Sequence, residues 1–198
     1  MNDTTTIHEH NGIEIIAFED AAAWEAWLSG NWQRQEGVWI RVAKKGAGIP
    51  SVTHLEALDV ALCYGWIDGQ RKGLDETYFL QKFTPRRARS LWSKVNIAKV
   101  EALIEAGRMR EPGFAAIEAA QADGRWDAAY ESQRNATVPP DLEAALERSE
   151  AARLAFEALG KSERYYVIWQ LMTARTPETR ERRLRKLIAS FEEGEGRE

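Results

Sequence analysis

The sequence predicts an α+β fold, in which a small, mostly antiparallel sheet with packed helices is followed by an all-α C-terminal helical module. Short segments in the first 85 residues alternate apolar and polar residues, as half-buried strands do. Beyond them, apolar residues recur at helical spacing, and the pair Pro139-Pro140 precedes a purely helical stretch. We therefore predict an α+β domain over residues 1–135 and a helical module over residues 136–198.

The first third of the chain alternates strand and helix. Residues 13–18 are β-branched and predict a strand, and residues 22–28 carry two tryptophans in a helical pattern. Residues 37–42 have a period of two, which is typical of a strand with one apolar face. That face consists of Val38, Ile40 and Val42.

A helix is predicted next, because Thr53 followed by Glu56 is a capping-box pattern. Its apolar side is expected to hold three leucines, and the helix is expected to end near Gly65. These leucines are Leu55, Leu58 and Leu62.

The middle of the chain predicts a hairpin and then helices. Residues 66–72 and 77–83 are strand candidates separated by Gly73-Leu74-Asp75, a turn composition that favours antiparallel pairing. Ser93 is placed to cap a helix, and Pro112 is placed as a first helical residue of the next one.

Composition narrows the class of protein. The chain has 198 residues, of which 44% are hydrophobic and 29% are charged, an ordinary globular balance. No run of 18 apolar residues predicts a membrane span, and the first residues lack a signal-peptide pattern. Cys63 is the single cysteine, so no intrachain disulfide forms. We expect a cytoplasmic protein.

The distribution of charge is more informative than its sum. A net charge of −4 argues against a general nucleic-acid binder. Between Glu76 and Glu101, however, there is no acidic residue, and six basic residues form a positive segment with aromatic neighbours. They are Lys82, Arg86, Arg87, Arg89, Lys94 and Lys99.

Four blocks of sequence resemble the bacterial YdeI/OmpD-associated family. They are Ala61-Leu-Cys-Tyr-Gly-Trp-Ile-Asp-Gly69, Phe83-Thr-Pro-Arg-Arg87, Ser90-Leu-Trp-Ser-Lys-Val-Asn96 and Gly124-Arg-Trp-Asp127. The segment from Pro139 to Ile188 is similar to the helical module of that family. The resemblance implies bacteriocin protection or resistance to cationic peptides, with an association to an outer-membrane porin, and it brings no established catalytic residues.

Two adjoining segments form the candidate ligand site. Trp66, Asp68, Gln70 and Lys72 are expected on one face of a strand, and hairpin closure is expected to bring Lys82 near Trp66 or Asp68. The following segment adds Arg86, Trp92, Ser93 and Asn96. Arginine and indole groups suit a small anionic or planar ligand. The alternative is structural, with Asp68 in an ion pair, both tryptophans in the core, Ser93 as a helix cap and Asn96 bracing the preceding loop.

The sequence offers few candidate residues for nucleophilic catalysis, metal binding or nucleic-acid binding. His54 lies at a helix start, and neither a Ser-His nor a Cys-His pair is suggested, so a nucleophilic triad is not predicted. His8 and His10 lack a clear third ligand, and we expect no metal and no cofactor. The arginines of residues 180–186 are interpreted as the exposed face of an amphipathic helix, which makes nucleic acid an improbable partner.

Three hypotheses on function follow. The first is a binding or stress-protection protein with a small anionic or planar ligand. The second is an enzyme that uses Asp68 as general acid or base while Lys82 or Arg86 stabilises negative charge. The third is a protein-interaction module with an exposed apolar patch. The sequence gives no indication of the oligomeric state.

Overall fold

The computed structural model describes residues 9–194, and these form two compact units. Of the described residues, the first unit comprises 9–91 together with Asn96–Asp127. The second comprises Trp92–Val95 and residues 128–194.

Within its described residues, the first unit contains the sheet, three whole helices and most of a fourth. In chain order its elements are β1 (Glu9–His10), β2 (Ile13–Ile16), α1 (Ala21–Asn31), β3 (Val38–Ala43), α2 (His54–Cys63), β4 (Trp66–Gly73), β5 (Tyr78–Pro85), α3 (Lys94–Glu105) and α4 (Glu111–Ala122). The first two residues of α3 belong to the second unit.

The strand order is β1-β2-β3-β5-β4. Strand β2 pairs with β3 in parallel, and the other neighbours pair antiparallel. The predicted fold class is therefore confirmed, as is the hairpin of β4 and β5. Its turn is stabilised by the side chain of Asp75, which accepts hydrogen bonds from the backbone N–H groups of Thr77 and Tyr78.

One face of the sheet packs in the core of the first unit. Val38, Ile40 and Val42 lie there as predicted and are buried. The ring of Phe83 meets that of Trp24 from α1, with 5.7 Å between centroids. Burial of these side chains supplies the main driving force for this packing.

The predicted capping box at the start of α2 is present. The Thr53 hydroxyl accepts from the Glu56 N–H, and the Glu56 carboxylate accepts from the Thr53 N–H. Leu58 and Leu62 are buried, but Leu55 is 62% exposed. The expectation that Leu55 shares their buried side was wrong, because the buried part of α2 begins only at Ala57.

A β-bulge in β4 changes which side chains share a face. Asp68 pairs with Phe83 and Arg71 pairs with Gln81, so Gly69 and Gln70 together oppose one residue of β5. The extra residue shifts the alternation, and Lys72 therefore points to the face opposite Trp66 and Asp68. This corrects the prediction of one common strand face for these side chains.

Within its described residues, the second unit contains four complete helices around an apolar core. They are α5 (Pro140–Glu147), α6 (Glu150–Ala158), α7 (Lys161–Met172) and α8 (Pro177–Glu192). Leu142, Phe156 and Leu171 are central to the core. Within residues 9–194, no helix is both long and apolar enough to cross a membrane.

Candidate functional site

A cleft in the first unit brings together Trp66 and Arg86, two of the predicted ligand-binding residues. Its volume is about 390 Å³. The walls come from four places: the segment after α1, the α2–β4 junction, the end of β5 and the first turns of α4. The lining residues are Trp32, Gln33, Gln35, Tyr64, Gly65, Trp66, Pro85, Arg86, Glu111, Pro112, Ala115 and Ala116. We call this space the Arg86 cleft.

Close backbone packing at two glycines fixes the wall that α4 contributes. Gly65 has a φ of +70°, and a Cβ there would lie 2.7 Å from the carbonyl oxygen of Pro112. A Cβ on Gly113 would collide with the carbonyl oxygen of Cys63 and lie 2.6 Å from the Met109 side chain. Only glycine allows this approach, so the first turn of α4 is held against the α2–β4 junction.

The loop that carries Arg86 is held by hydrogen bonds at several points. The Arg86 N–H donates to the carbonyl oxygen of Gly65 at 2.9 Å. Its Nη1 donates to the carbonyl oxygen of Leu91 at 3.1 Å. Arg125, which is buried and paired with Asp123, donates from Nη1 to the Ser90 carbonyl oxygen at 3.0 Å. Arg86, a lining residue of the cleft, is therefore held in place through its backbone N–H and Nη1.

Aromatic and polar side chains complete the cleft. The indole of Trp66 is buried and donates from Nε1 to the carbonyl oxygen of Trp32 at 2.7 Å. Trp32 is 37% exposed. Gln33 is exposed, and Glu111 lines the cleft from the first turn of α4. The cleft can thus combine an arginine, an amide and an aromatic side chain around one ligand.

Asp68 lies in a different place and has a partner that the sequence analysis missed. Its Oδ2 is 3.0 Å from Nε2 of His54, the first residue of α2. The side chains are 30% and 25% exposed, respectively. Asp68 is not among the residues that line the Arg86 cleft. The pair is a carboxylate that orients an imidazole, an arrangement compatible with an ion pair and with acid–base chemistry.

Lys82 and Gln70 do not join Asp68. Lys82 pairs with Trp39 of β3 and points to the other face of the sheet, where its Nζ lies 5.9 Å from the Trp39 ring centroid. Gln70 is an exposed residue of the bulge. Its carbonyl oxygen accepts from the buried side chain of Gln81 at 3.2 Å. The register therefore places Phe83, and not Lys82, across from Asp68.

The last three predicted residues, Trp92, Ser93 and Asn96, follow the loop that carries Arg86. Trp92 and Ser93 are buried in the second unit, where Ser93 forms a parallel β-bridge with Tyr130. The backbone of Trp92 accepts from the Tyr130 N–H at 3.0 Å. Asn96 is a half-buried residue of the first unit, in the first turn of α3.

The arginines of α8 make contacts within the second unit. Arg180 forms a two-pronged pair with Asp141, with nitrogen–oxygen distances of 2.6 and 2.8 Å. Hydrogen bonding to Arg180 lowers the pKa of Asp141 below its usual value. Arg185 pairs with Glu181 one turn away. Two cavities of about 460 and 610 Å³ also lie in this unit, the larger between α6, α7 and α8.

Cys63 and the His8-Glu9-His10 pattern are the remaining sequence candidates for chemistry. Cys63 is buried, and desolvation raises the pKa of its thiol to about 11. Among residues 9–194, no three His, Cys, Asp or Glu side chains are grouped so as to hold a metal ion. His8, half of the His8-Glu9-His10 pattern, lies outside the described residues.

Several residues of these sites were not among the sequence candidates. Trp32, Gln33 and Glu111 reach the Arg86 cleft from segments distant in sequence, and nothing local indicates this. His54 reaches Asp68 across the whole of α2. One local feature did point to the bulge, because a lone glycine such as Gly69 inside a strand pattern is typical of one.

Comparison with known proteins divides the chain in two. Residues 16–116 match a family model described as a domain of unknown function (DUF8412). Residues 135–194 match a model described as bacteriocin-protection, YdeI or OmpD-associated. The second match confirms the resemblance for the helical part, and the sequence blocks at residues 61–69 and 83–96 fall within the first. No curated protein and no solved structure matches the chain.

Proposed function

The chain belongs to the DUF8412 family and carries a bacteriocin-protection, YdeI or OmpD-associated module, and we propose that its first unit binds a small planar anion in the Arg86 cleft. The observation that carries the proposal is that Trp66 and Arg86 line one cleft together with Trp32 and Gln33. An arginine fork recognises a carboxylate or a phosphate, and an exposed indole favours a flat neighbour.

The size and charge of the cleft narrow the ligand. A space of about 390 Å³ lies near the lower end of small-molecule sites. Arg86 is the basic residue among those lining it, and Glu111 is the acidic one. We therefore expect a compact ligand whose acidic group faces Arg86 and whose donor group, a hydroxyl or an amine, faces Glu111.

A ligand screen by thermal shift tests the proposal. Planar carboxylates and phosphates are compared with their neutral analogues. A ligand at about 100 times its Kd stabilises the folded state by about 2.7 kcal/mol, which raises the Tm of a chain of this length by roughly 5 to 10 °C. Neutral analogues are expected to give no comparable shift.

The matched variants are Arg86→Lys and Arg89→Lys. Both keep the charge, but only the first replaces a guanidinium of a cleft-lining residue, because Arg89 is not among the residues that line the cleft. Arg86→Lys is expected to raise the Kd about tenfold or more, and Arg89→Lys less than about twofold. Equal affinity of both variants for every ligand found in the screen would place the site elsewhere.

We place this binding activity in stress protection, as the module described as bacteriocin-protection suggests. The single, buried cysteine fits a cytoplasmic location. Bacteria that produce the chain are expected to survive a higher dose of a cationic bacteriocin than bacteria that produce Arg86→Lys at the same level. Equal survival would show that the Arg86 cleft takes no part in protection.

A second candidate function is acid–base catalysis at His54 and Asp68. The supporting observation is the 3.0 Å contact between two partly exposed side chains, in which Asp68 can orient the imidazole. Lys82 would take no part, since it points to the opposite face. This function requires turnover: a compound that is converted by wild type but not by His54→Gln would support it, and equal conversion by both proteins would exclude it.

A further inference from the structure

Beyond the Arg86 cleft, the sheet has a second face with an unusual concentration of cations. This second face is formed by the side chains that alternate away from Val38, Ile40 and Val42. In β3, β4 and β5 it includes three basic residues, two aromatic rings and one buried leucine. They are Arg41, Lys72, Lys82, Trp39, Tyr78 and Leu80.

The strand register arranges the three cations around Leu80. Leu80 pairs with Arg41 on one side and with Lys72 on the other, so these two residues are about 10 Å apart at their Cα atoms. Lys82 lies two residues along β5, about 7 Å from Leu80. Because Leu80 is 2% exposed, the apolar floor is covered and the charged ends of the long side chains define the surface.

No carboxylate neutralises these cations within the described part of the chain. Arg41 stacks on the Tyr78 ring at 4.8 Å, and Lys82 lies over the Trp39 ring. Lys72 Nζ is 3.4 Å from Nε2 of His10. The bulge is responsible for this concentration, since it turns Lys72 toward the other two cations.

Two buried donors on the same face have no acceptor among residues 9–194. They are Nε1 of Trp39, a residue that is 3% exposed, and Nε of Arg41. These residues are two apart on β3 and therefore point the same way. A buried N–H without an acceptor is unfavourable, and the oxygen atoms of an anion seated among the cations would relieve it.

We propose that the second face binds a multivalent phosphate, either free polyphosphate or the phosphate chain of a nucleotide. Three separate cations favour an anion with several charges over a single carboxylate. The half-buried ring of Tyr78 would add affinity only for a nucleotide, through contact with its base.

Calorimetric titration with tripolyphosphate and with a nucleoside triphosphate tests this proposal. The variant pair Lys72→Gln/Lys82→Gln is compared with Lys44→Gln/Lys45→Gln, exposed lysines just beyond β3. Both double variants lower the net charge by two, so a general charge effect would weaken them equally. The first pair is expected to raise the Kd about tenfold or more, and the second pair less than about threefold.

The two ligands distinguish the source of the phosphate. Tighter binding of the nucleoside triphosphate would identify a nucleotide as the ligand. Equal binding of the two would identify free polyphosphate. Equal weakening of both double variants, or no binding of either ligand at millimolar concentration, would overturn the proposal. Arg86→Lys is expected to leave both affinities unchanged, so this site and the Arg86 cleft can fail independently.

Discussion

Gly113→Ala perturbs the contact that fixes the wall of the Arg86 cleft. Gly113 is the third residue of α4, and a methyl group there would collide with the carbonyl oxygen of Cys63 and crowd Met109. The backbone must move apart, which also lengthens the 3.1 Å hydrogen bond from the Arg110 N–H to that carbonyl oxygen.

The expected change in the free energy of unfolding follows from three contributions. Overpacking of this kind costs about 1–3 kcal/mol, and loss of the hydrogen bond costs about 1 kcal/mol. The higher helix propensity of alanine offsets up to about 1 kcal/mol of this loss of stability. Gly113→Ala should therefore lower the free energy of unfolding by about 1–3 kcal/mol, although the same exchange usually stabilises a helix.

Urea unfolding followed by circular dichroism measures this effect. With an m value near 2 kcal/mol/M, the midpoint is expected to fall by roughly 0.5 to 1.5 M. The matched control is Gly30→Ala in α1, where an added Cβ meets nothing within 4 Å, and the midpoint is expected to rise slightly. A midpoint for Gly113→Ala at or above that of wild type would refute the close packing of α4.

Two further predictions concern titrating groups. Asp141 has a lowered pKa through Arg180, so its contribution to stability is present above its ordinary value of 3.8 and is lost as the pH falls. Asp141→Asn should lower the free energy of unfolding at pH 7 by about 1 kcal/mol or less, since the pair is a third exposed. The difference should shrink as the pH falls below 3.8, and urea midpoints at pH 7 and pH 3 check this. Cys63, with a thiol pKa of about 11, should be modified by iodoacetamide at pH 8 only after unfolding, because roughly one thiol in a thousand is ionised; rapid labelling of folded protein would contradict this.

Elements whose determinants are local could be predicted from the sequence. The capping box at Thr53 and Glu56 and the alternation of residues 38–42 depend on neighbours a few residues apart. The hairpin follows from its turn residues for the same reason. The segment match to the YdeI/OmpD-associated module was also available from residue patterns alone.

The candidate site depended on information that is not local. The bulge at Gly69 and Gln70 moved Lys72 to the second face, since one extra residue reverses every later side chain in a strand. Contacts such as His54 with Asp68 arise only when α2 packs beside β4. The predicted cluster is therefore distributed among the Arg86 cleft, the His54–Asp68 pair, the bulge of β4, the sheet's second face, α3 and the second unit.

The indole N–H resonances of the tryptophans give the most direct test of the central proposal. Trp32 lies in the Arg86 cleft, whereas Trp39 lies on the second face, and Trp32→Phe and Trp39→Phe assign their resonances in a ¹⁵N–¹H spectrum. A planar anion that raises the Tm is expected to shift the Trp32 resonance and leave that of Trp39 in place. A ligand that stabilises the protein while the Trp32 resonance stays unmoved would contradict binding in the Arg86 cleft.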